Sequence, residues 1–131
     1  RQGVICLYKF ENNIPIYIQI SDCIAKDIIS GKYPMGSKIP TVRELATIFS
    51  ANPNTCQKAV TELTNQGLLV TVSTNGRFVT KDEQLITDYR NKILMEIVAD
   101  FVHQIKEFGF KKEEVLEKME KENQNGMHWN E

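Results

Sequence analysis

Hydrogen-bonding side chains cluster near the middle of this 131-residue chain. Asn54, Thr55 and Lys58 lie within a few positions of one another, and Thr61 and Asn65 follow at helical spacing. Amide groups make paired hydrogen bonds to the edges of bases, and hydroxyl and ammonium groups suit phosphate oxygens. These side chains could therefore contact nucleic acid, provided that the chain presents them on one surface.

The element that must position most of them is a helix that begins at residue 53. Asn52 suits a helix N-cap, Pro53 suits the first helical position, and Gly67 suits the end of the helix. Apolar residues at spacings of three and four predict a buried face made of Cys56, Ala59, Val60 and Leu63. The outer face then carries Asn54, Thr55, Lys58, Thr61 and Asn65. Taken alone, this helix equally fits an ordinary amphipathic helix with a solvated polar face.

A second short helix precedes it. Thr41 and Glu44 have the spacing of a capping box, in which each side chain bonds a backbone N–H near the helix start. A helix should therefore begin at about Val42. Its buried stripe is predicted to contain Val42, Leu45, Ala46 and Phe49. The two helices form a helix-turn-helix pattern.

The remaining elements of this half follow from periodicity and turn residues. Ile16, Ile20, Ile24 and Ile28 recur on one face of a predicted helix that ends at Gly31. Residues 32–40 form a turn-rich connector. Residues 68–72 and 77–80 are predicted strands around a turn at 73–76, and residues 8–10 are a further short strand.

From residue 15 to residue 79 the chain resembles the winged helix-turn-helix domain of the GntR family of bacterial transcriptional regulators. The matching segments, in order, are PIYIQI at 15–20, IISGKYPMGSKIPTVRELA at 28–46, NPNTCQKAV at 52–60, LTNQGLL at 63–69 and GRFV at 76–79. The NPNT form, followed by a short helical tail, is most similar to the YtrA-like subfamily. The strands at 68–72 and 77–80 would then be the wing.

The resemblance implies which residues contact DNA. In the family these contacts come from the Arg of the preceding helix, the first turn of the recognition helix and the tip of the wing. Carried over by position, the contact residues are Arg43, Asn52, Asn54, Thr55, Gln57, Lys58, Thr74, Gly76 and Arg77. We expect Asn54 and Gln57 to face bases. Thr55 and Lys58 should face the DNA backbone. Arg43 should face a guanine edge or a phosphate, with a salt bridge to a nearby carboxylate as the alternative.

Two positions depart from the family's pattern. Thr74 stands at the earlier of two common wing glycines, so entry of the wing into the minor groove is not implied here. Many relatives carry Arg where Gln57 or Pro53 stands. Because amides pair with adenine and guanidinium groups pair with guanine, the sequence predicts an A·T-leaning operator. A G·C-rich operator selected from random DNA would contradict this.

Charge is unevenly divided along the chain, whose net charge is −1. Residues 1–81 carry nine Lys and Arg against five Asp and Glu, a balance of +4, and residues 82–131 carry seven against twelve, a balance of −5. The positive half contains the helix-turn-helix pattern, which agrees with a nucleic-acid partner. The same asymmetry also fits two unrelated modules.

The last third is rich in apolar residues. Those between 85 and 108 cover more than one stripe of a long helix, and some of them alternate four and three apart, as in a helix-helix seam. Gly109 interrupts the pattern, and residues 112–123 are predicted to form a short charged helix that folds back through Val115, Leu116 and Met119. We predict a homodimer interface made of Ile93, Leu94, Ile97, Val98, Phe101, Ile105 and Phe108. A helical hairpin that closes on its own domain is the alternative.

Catalytic and metal-binding patterns are weak. Cys6, Cys23 and Cys56 lack disulfide-framework or zinc-ligand spacing, and His103 and His128 lie far from any nucleophile motif. We therefore expect no enzyme, cofactor or metal site, with His103 as a surface or interface residue. No signal peptide and no apolar run of about 20 residues is seen, so we expect a cytoplasmic protein that does not span a membrane.

The sequence thus predicts a mainly α fold with a small β wing, divided into a winged helix-turn-helix domain at 1–81 and a two-helix dimerisation arm at 82–131. The expected function is a sequence-specific transcriptional regulator, a repressor, that binds an inverted-repeat operator of double-stranded DNA as a homodimer. The resemblance implies control of its own operon beside transporter genes. The tail has no room for a separate effector domain. A small-molecule effector would therefore have to bind a pocket between the helices and the winged domain, and whether one exists is left open. The other hypothesis is a winged-helix module for protein-protein assembly.

Overall fold

The computed structural model describes residues 10–125 of the chain. In this range it contains five α-helices and one two-stranded antiparallel sheet. The elements are α1 (Ile16–Ile29), α2 (Val42–Phe49), α3 (Pro53–Asn65), β1 (Leu69–Thr71), β2 (Arg77–Val79), α4 (Glu83–Glu107) and α5 (Lys112–Gln124). The fold class predicted from the sequence is confirmed. The strand predicted at residues 8–10 lies outside the described residues except for Phe10, which is not in a strand.

The core of the amino-terminal half forms where α1 and α2 pack against α3. Ile20, Ile24 and Ile28 point inward from α1, whereas Ile16, at the first position of that helix, is 45% exposed. The predicted inner face of α3 is buried at every position: Cys56, Ala59, Val60 and Leu63. α2 contributes Leu45 and Phe49, while Val42 and Ala46 are half-buried at the edge of the core.

Both ends of α2 are fixed by local hydrogen bonds. At its start the Glu44 N–H donates to Thr41 Oγ1 over 3.2 Å, and the Thr41 N–H donates to Glu44 Oε1 over 3.0 Å. At its end Ser50 adopts a left-handed conformation, with φ of 49°, and the Ala51 N–H donates to Ala46 O. The chain therefore turns directly into Asn52, the N-cap of α3. The predicted capping box and helix start are confirmed.

In the wing, β2 is hydrogen-bonded along both of its edges. β1 pairs with β2 in the register Leu69 with Val79, Val70 with Phe78 and Thr71 with Arg77. On the other side the Ile39 N–H donates to Arg77 O, and the Val79 N–H donates to Ser37 O. The strands are shorter than predicted: the Leu68 N–H bonds Leu63 O at the end of α3, and the Val72 N–H bonds Gly76 O in the wing turn.

α4 begins on the amino-terminal half and continues beyond it. Asp82 caps it by accepting from the Leu85 N–H over 3.1 Å, and Leu85, Ile86 and Tyr89 pack against the core. The chain divides into two compact units between Asn91 and Lys92. The predicted boundary at 81/82 marks the start of the helix, whereas the compact division comes later because this first part of α4 belongs to the core.

No helix within residues 10–125 combines the length and the apolar character that a membrane span requires. One interpretation of the cysteines needs correction. Cys56 is a free and buried thiol, as expected, but Cys23 is disulfide-bonded. Spacing alone gave no sign of this bond because a disulfide depends on which residues the fold brings together.

Candidate nucleic-acid interface

The exposed side chains at the start of α3 form a compact polar surface. Asn54, Gln57 and Lys58 are exposed, and Thr55 is half-buried beside them. They occupy the first turns of a helix whose other face is held in the core. Because that face is fixed, the polar side chains are presented by a rigid element, which suits them to contact an external partner.

Asn52 has a structural task. Its side-chain Oδ1 accepts a hydrogen bond from the Asn54 N–H over 2.8 Å, which caps α3. Only the amide NH₂ of Asn52 is left to donate to a partner. Of the residues predicted in this helix, Asn52 therefore has the least freedom to read a base.

Gln57 is oriented by a neighbour on the same face. Its Nε2 donates to Thr61 Oγ1 over 3.3 Å, and both residues are exposed. This bond uses one N–H of the amide and leaves Oε1 as an acceptor. Since adenine recognition requires one donor and one acceptor, Gln57 keeps the groups needed for it.

Arg43 lies one residue into α2 and its side chain is exposed. The sequence allowed for a salt bridge to a nearby carboxylate. Among the described residues no carboxylate lies within ion-pair distance of Arg43. Its guanidinium is therefore available to a base edge or a phosphate.

The wing tip is a 3-10 turn at Ser73–Asn75. Thr74 is exposed within this turn. Gly76 follows with φ of 102°, a backbone conformation that residues with a side chain rarely adopt. Arg77 is half-buried, and its Nε has no hydrogen-bond partner in the part of the chain that the structure describes. Of the three predicted wing residues, Thr74 is thus the most accessible.

Lys38 is a further cation at the wing that the sequence interpretation missed. It lies in the connector, forms an isolated β-bridge with Phe78 in β2, and is exposed. Its Cε would lie 3.0 Å from a Cβ placed on Gly76. The sequence predicts only a turn-rich segment for the connector, and no local sequence signal shows that it pairs with β2. The basic residues Lys38 and Arg77 therefore line the same small cleft.

The predicted interface residues of the second half are largely uncovered within one chain. No residue of α4 or α5 is buried. Leu94, Ile97, Val98, Phe101 and Phe108 are exposed, with Phe108 at 75%, while Ile93 and Ile105 are half-buried. These exposures agree with an interface in the described part of the arm, and the homodimer and the hairpin that closes on its own domain both stay predictions.

α5 folds back on α4 only in part. An open groove of about 470 Å³ lies between them, and its apolar lining consists of Phe101, Ile105, Phe110, Val115 and Met119. Leu116, which was predicted to join Val115 and Met119, is instead 52% exposed. The arm therefore presents one apolar surface that runs from α4 into this groove.

His103 contacts a carboxylate on the surface of α4. Its Nε2 lies 2.6 Å from Glu107 Oε1, one helical turn away, and both side chains are well exposed. This agrees with the predicted surface position. No group of three or more metal-ligating side chains is found within the described range, which does not include His128.

Comparison with known proteins gives consistent matches. Residues 16–79 match the family model described as "Bacterial regulatory proteins, gntR family". The HTH-type transcriptional regulator YhcF of Bacillus subtilis (strain 168) is 35% identical over 109 residues, which cover 83% of this chain and 90% of YhcF. The HTH-type transcriptional repressor YtrA of the same strain is 39% identical over 71 residues, or 54% of this chain and 55% of YtrA.

Solved structures agree with these matches. A GntR family transcriptional regulator from Listeria monocytogenes has a TM-score of 0.80 and 34% identity, and the match covers 86% of this chain and 98% of that one. The DNA-binding domain of AraR in complex with operator ORX1 has a TM-score of 0.52 and 35% identity, over 55% of this chain and 93% of that one.

Proposed function

Because this chain belongs to the GntR family of bacterial regulatory proteins, we propose that it is a transcriptional repressor that binds an operator through α3. The observation that carries the proposal is the exposed polar face at the capped start of α3. A helix of this kind, preceded by a short helix and a tight turn, enters the major groove in helix-turn-helix proteins. The operator-bound AraR domain supports the proposal by similarity.

The contact residues keep the roles expected of them, with one change. Asn54 and Gln57 face bases, Thr55 and Lys58 face phosphates, and Arg43 reaches a guanine or a phosphate. At the wing, Thr74, Gly76 and Arg77 lie beside the DNA backbone, joined by Lys38. The exception is Asn52, whose side chain caps α3 and is assigned no contact with a base.

The protein acts as a homodimer through the arm. The exposed apolar side chains of α4 support this, because a face of that size is costly to leave in water. The interface consists of Ile93, Leu94, Ile97, Val98, Phe101, Ile105 and Phe108. A twofold dimer carries two copies of α3, so its operator is an inverted repeat whose half-site spacing mirrors the dimer.

The test is binding of the DNA upstream of the protein's own gene, measured by fluorescence anisotropy over a range of salt concentrations. Arg43→Ala and Lys58→Ala should each weaken binding, and loss of a phosphate contact should lower the slope of log affinity against log salt by about 1. Lys106→Ala is the matched control, since it removes one exposed positive charge from α4. Circular dichroism melts establish that each variant is folded.

A protein-assembly module is the competing function. In that case the polar face of α3 would dock on another protein, and an apolar interface would not weaken steeply with salt. Wild-type protein that binds neither upstream DNA nor operators selected from random DNA would reject the repressor proposal and favour this alternative.

The regulated genes are proposed to be its own operon with an adjacent transporter, on the strength of the similarity to YtrA-like regulators. The protein would then act in the cytoplasm, where the operator lies. A small-molecule effector would change the operator affinity of the dimer. Comparison of transcript levels in a deletion strain with those in the parent strain tests the target genes.

A further inference from the structure

A lysine of α3 rests on an aromatic ring of α1. Lys58 Nζ lies 4.4 Å from the centroid of the Tyr17 ring, within the range of a cation-π interaction. We propose that Tyr17 is a positioning residue, which holds the Lys58 ammonium ready for a phosphate of the operator. The inference rests on the proposed function and adds to it a residue outside the helix-turn-helix.

The ring is a fixed platform. Tyr17 lies in the first turn of α1, is half-buried, and packs against the hydrophobic core. α1 and α3 also pack directly against each other. The position of the ring relative to α3 is therefore set by the core, whereas Lys58 itself is exposed and has a long flexible side chain.

The orientation of the Lys58 side chain is informative because α3 also carries a carboxylate with which it could pair. Glu62 lies four residues later, the spacing at which Lys and Glu commonly pair on a helix. Instead, Glu62 Oε1 accepts a hydrogen bond from Gln66 Nε2 over 3.0 Å. Among residues 10–125 no carboxylate pairs with Lys58. Its positive charge is thus oriented by the ring but not neutralised.

An oriented and unneutralised ammonium favours binding of an anion. A free lysine must lose conformational freedom to hold a phosphate, whereas a lysine already held by a ring loses less. Because the contact exists without DNA, its effect on affinity comes from the side-chain freedom that binding no longer costs, a gain of about two- to five-fold. The π face is responsible, so the phenol hydroxyl should not be needed.

The first experiment tests the pair without DNA. In the NMR spectrum of the free protein, the ring current of Tyr17 should shift the ε-methylene protons of Lys58 upfield. Tyr17→Phe should keep this shift, and Tyr17→Leu should abolish it. Unshifted Lys58 protons in the folded wild-type protein would overturn the inference, whatever the DNA measurements give.

The second experiment is a double-mutant cycle on operator affinity. Tyr17→Leu should weaken binding about two- to five-fold, Tyr17→Phe should bind like the wild type, and Tyr17→Leu should have no further effect when Lys58→Met is present. Lys106→Met is the matched control, in which Tyr17→Leu should keep its full effect. Thermal melts of each variant separate positioning from loss of fold.

The outcomes distinguish the inference from the function on which it rests. Equal losses of affinity in Tyr17→Phe and Tyr17→Leu would mean that Tyr17 acts by its hydroxyl. A Tyr17→Leu effect that persists without Lys58 would mean that Tyr17 acts by packing. Either result would overturn the inference and leave the proposed regulator function unaffected. If wild-type protein shows the ring-current shift but binds no operator, both the proposed function and the positioning role are rejected.

Discussion

Amide groups dominate the exposed start of α3, which gives this surface a different chemistry from one rich in arginine. Asn54 and Gln57 can each donate and accept, a pattern that matches adenine in the major groove. The Gln57 side chain is already aligned by its bond to Thr61. Base preference should therefore depend on Gln57 more than on its charged neighbours.

Replacement of Gln57 tests this at the level of one base. Gln57→Arg should shift the preferred base at the contacted position from adenine to guanine, by about 1–3 kcal/mol of discrimination, because a guanidinium pairs with guanine O6 and N7. Selection of operators from random DNA by the wild-type and variant proteins measures the shift. Thr61→Ala is the control, because it removes the aligning hydroxyl and keeps the amide. An unchanged operator preference in Gln57→Arg would show that Gln57 does not contact a base.

The residues of the site differ in how far the sequence could define them. The positions of Asn54 and Lys58 follow from helical periodicity and a capped start, which are local signals, whereas Gln57 is implied by the family resemblance. Lys38 could not be found in this way, because its position beside Gly76 depends on pairing between the connector and β2. The contact of Lys58 with Tyr17 likewise joins two helices that are far apart in the sequence.

The capping box of α2 makes one element sensitive to acid. The pKa of Glu44 is lowered mainly by the hydrogen bond from the Thr41 N–H, then by the Thr41 hydroxyl, with a smaller contribution from Lys38. Since the folded-state pKa lies below the unfolded one, the stabilisation is present above the unfolded pKa and is lost as the pH falls through the folded value. Glu44→Gln can still accept the hydrogen bond, so it should remove this dependence on pH.

Urea unfolding of wild type and Glu44→Gln as a function of pH measures the effect. The free energies of unfolding of the two proteins should differ most near neutral pH and converge in acid. A difference that stays constant from neutral pH into acid would contradict the predicted linkage.

The end of α3 depends on Gly67, which has φ of 84°. A Cβ there would lie 2.8 Å from Leu85 Cδ1, so Gly67→Ala combines a left-handed backbone with a collision. Gly31→Ala is the matched control, because Gly31 has φ of 90° but nothing within 4 Å of its Cβ position. We expect Gly31→Ala to cost about 1–2 kcal/mol and Gly67→Ala about 1–3 kcal/mol more. Equal losses by urea unfolding would show that Leu85 moves aside freely.

Helices whose ends are marked by capping residues could be predicted from the sequence. Strands, whose limits depend on pairing with distant residues, could be predicted less accurately. Thr41 with Glu44, and Asn52 with Pro53, marked the helix starts correctly because caps depend on a few adjacent residues. The wing strands were predicted too long, because Leu68 also serves the end of α3. The disulfide of Cys23 depends on the folded chain rather than on spacing.

At the scale of the whole molecule, the amino-terminal half has a packed core, whereas no residue of α4 or α5 is buried. The family resemblance and fold class predicted from the sequence are confirmed, whereas the contact residues and the dimer interface stay predictions. The exposed Val98 and Phe101 side chains, at 42% and 43%, lie at the centre of the predicted interface. Because these side chains are exposed, they can be replaced to dissociate the proposed dimer without unfolding the subunit.

A charge in this surface should separate the subunits. Phe101→Glu should convert the dimer to a monomer at micromolar concentration, because a carboxylate is costly to bury in an apolar interface. Sedimentation velocity measures the change. Gln104→Glu adds the same charge at an exposed polar position of α4 and should stay dimeric.

Operator binding supplies the second readout. The Phe101→Glu monomer should bind an inverted repeat more weakly than the wild type does, while its affinity for an isolated half-site should be unchanged. A wild-type protein that sediments as a monomer at the same concentration would reject the dimer.

The close approach of Gly67 and Leu85 has a mechanical meaning. Leu85 lies in the first turn of α4, the same continuous helix whose later residues form the apolar arm. A side chain at residue 67 would meet Leu85 Cδ1, so either that side chain or the start of α4 would have to shift. The end of α3 and the start of α4 can thus approach each other as closely as they do because residue 67 has no side chain.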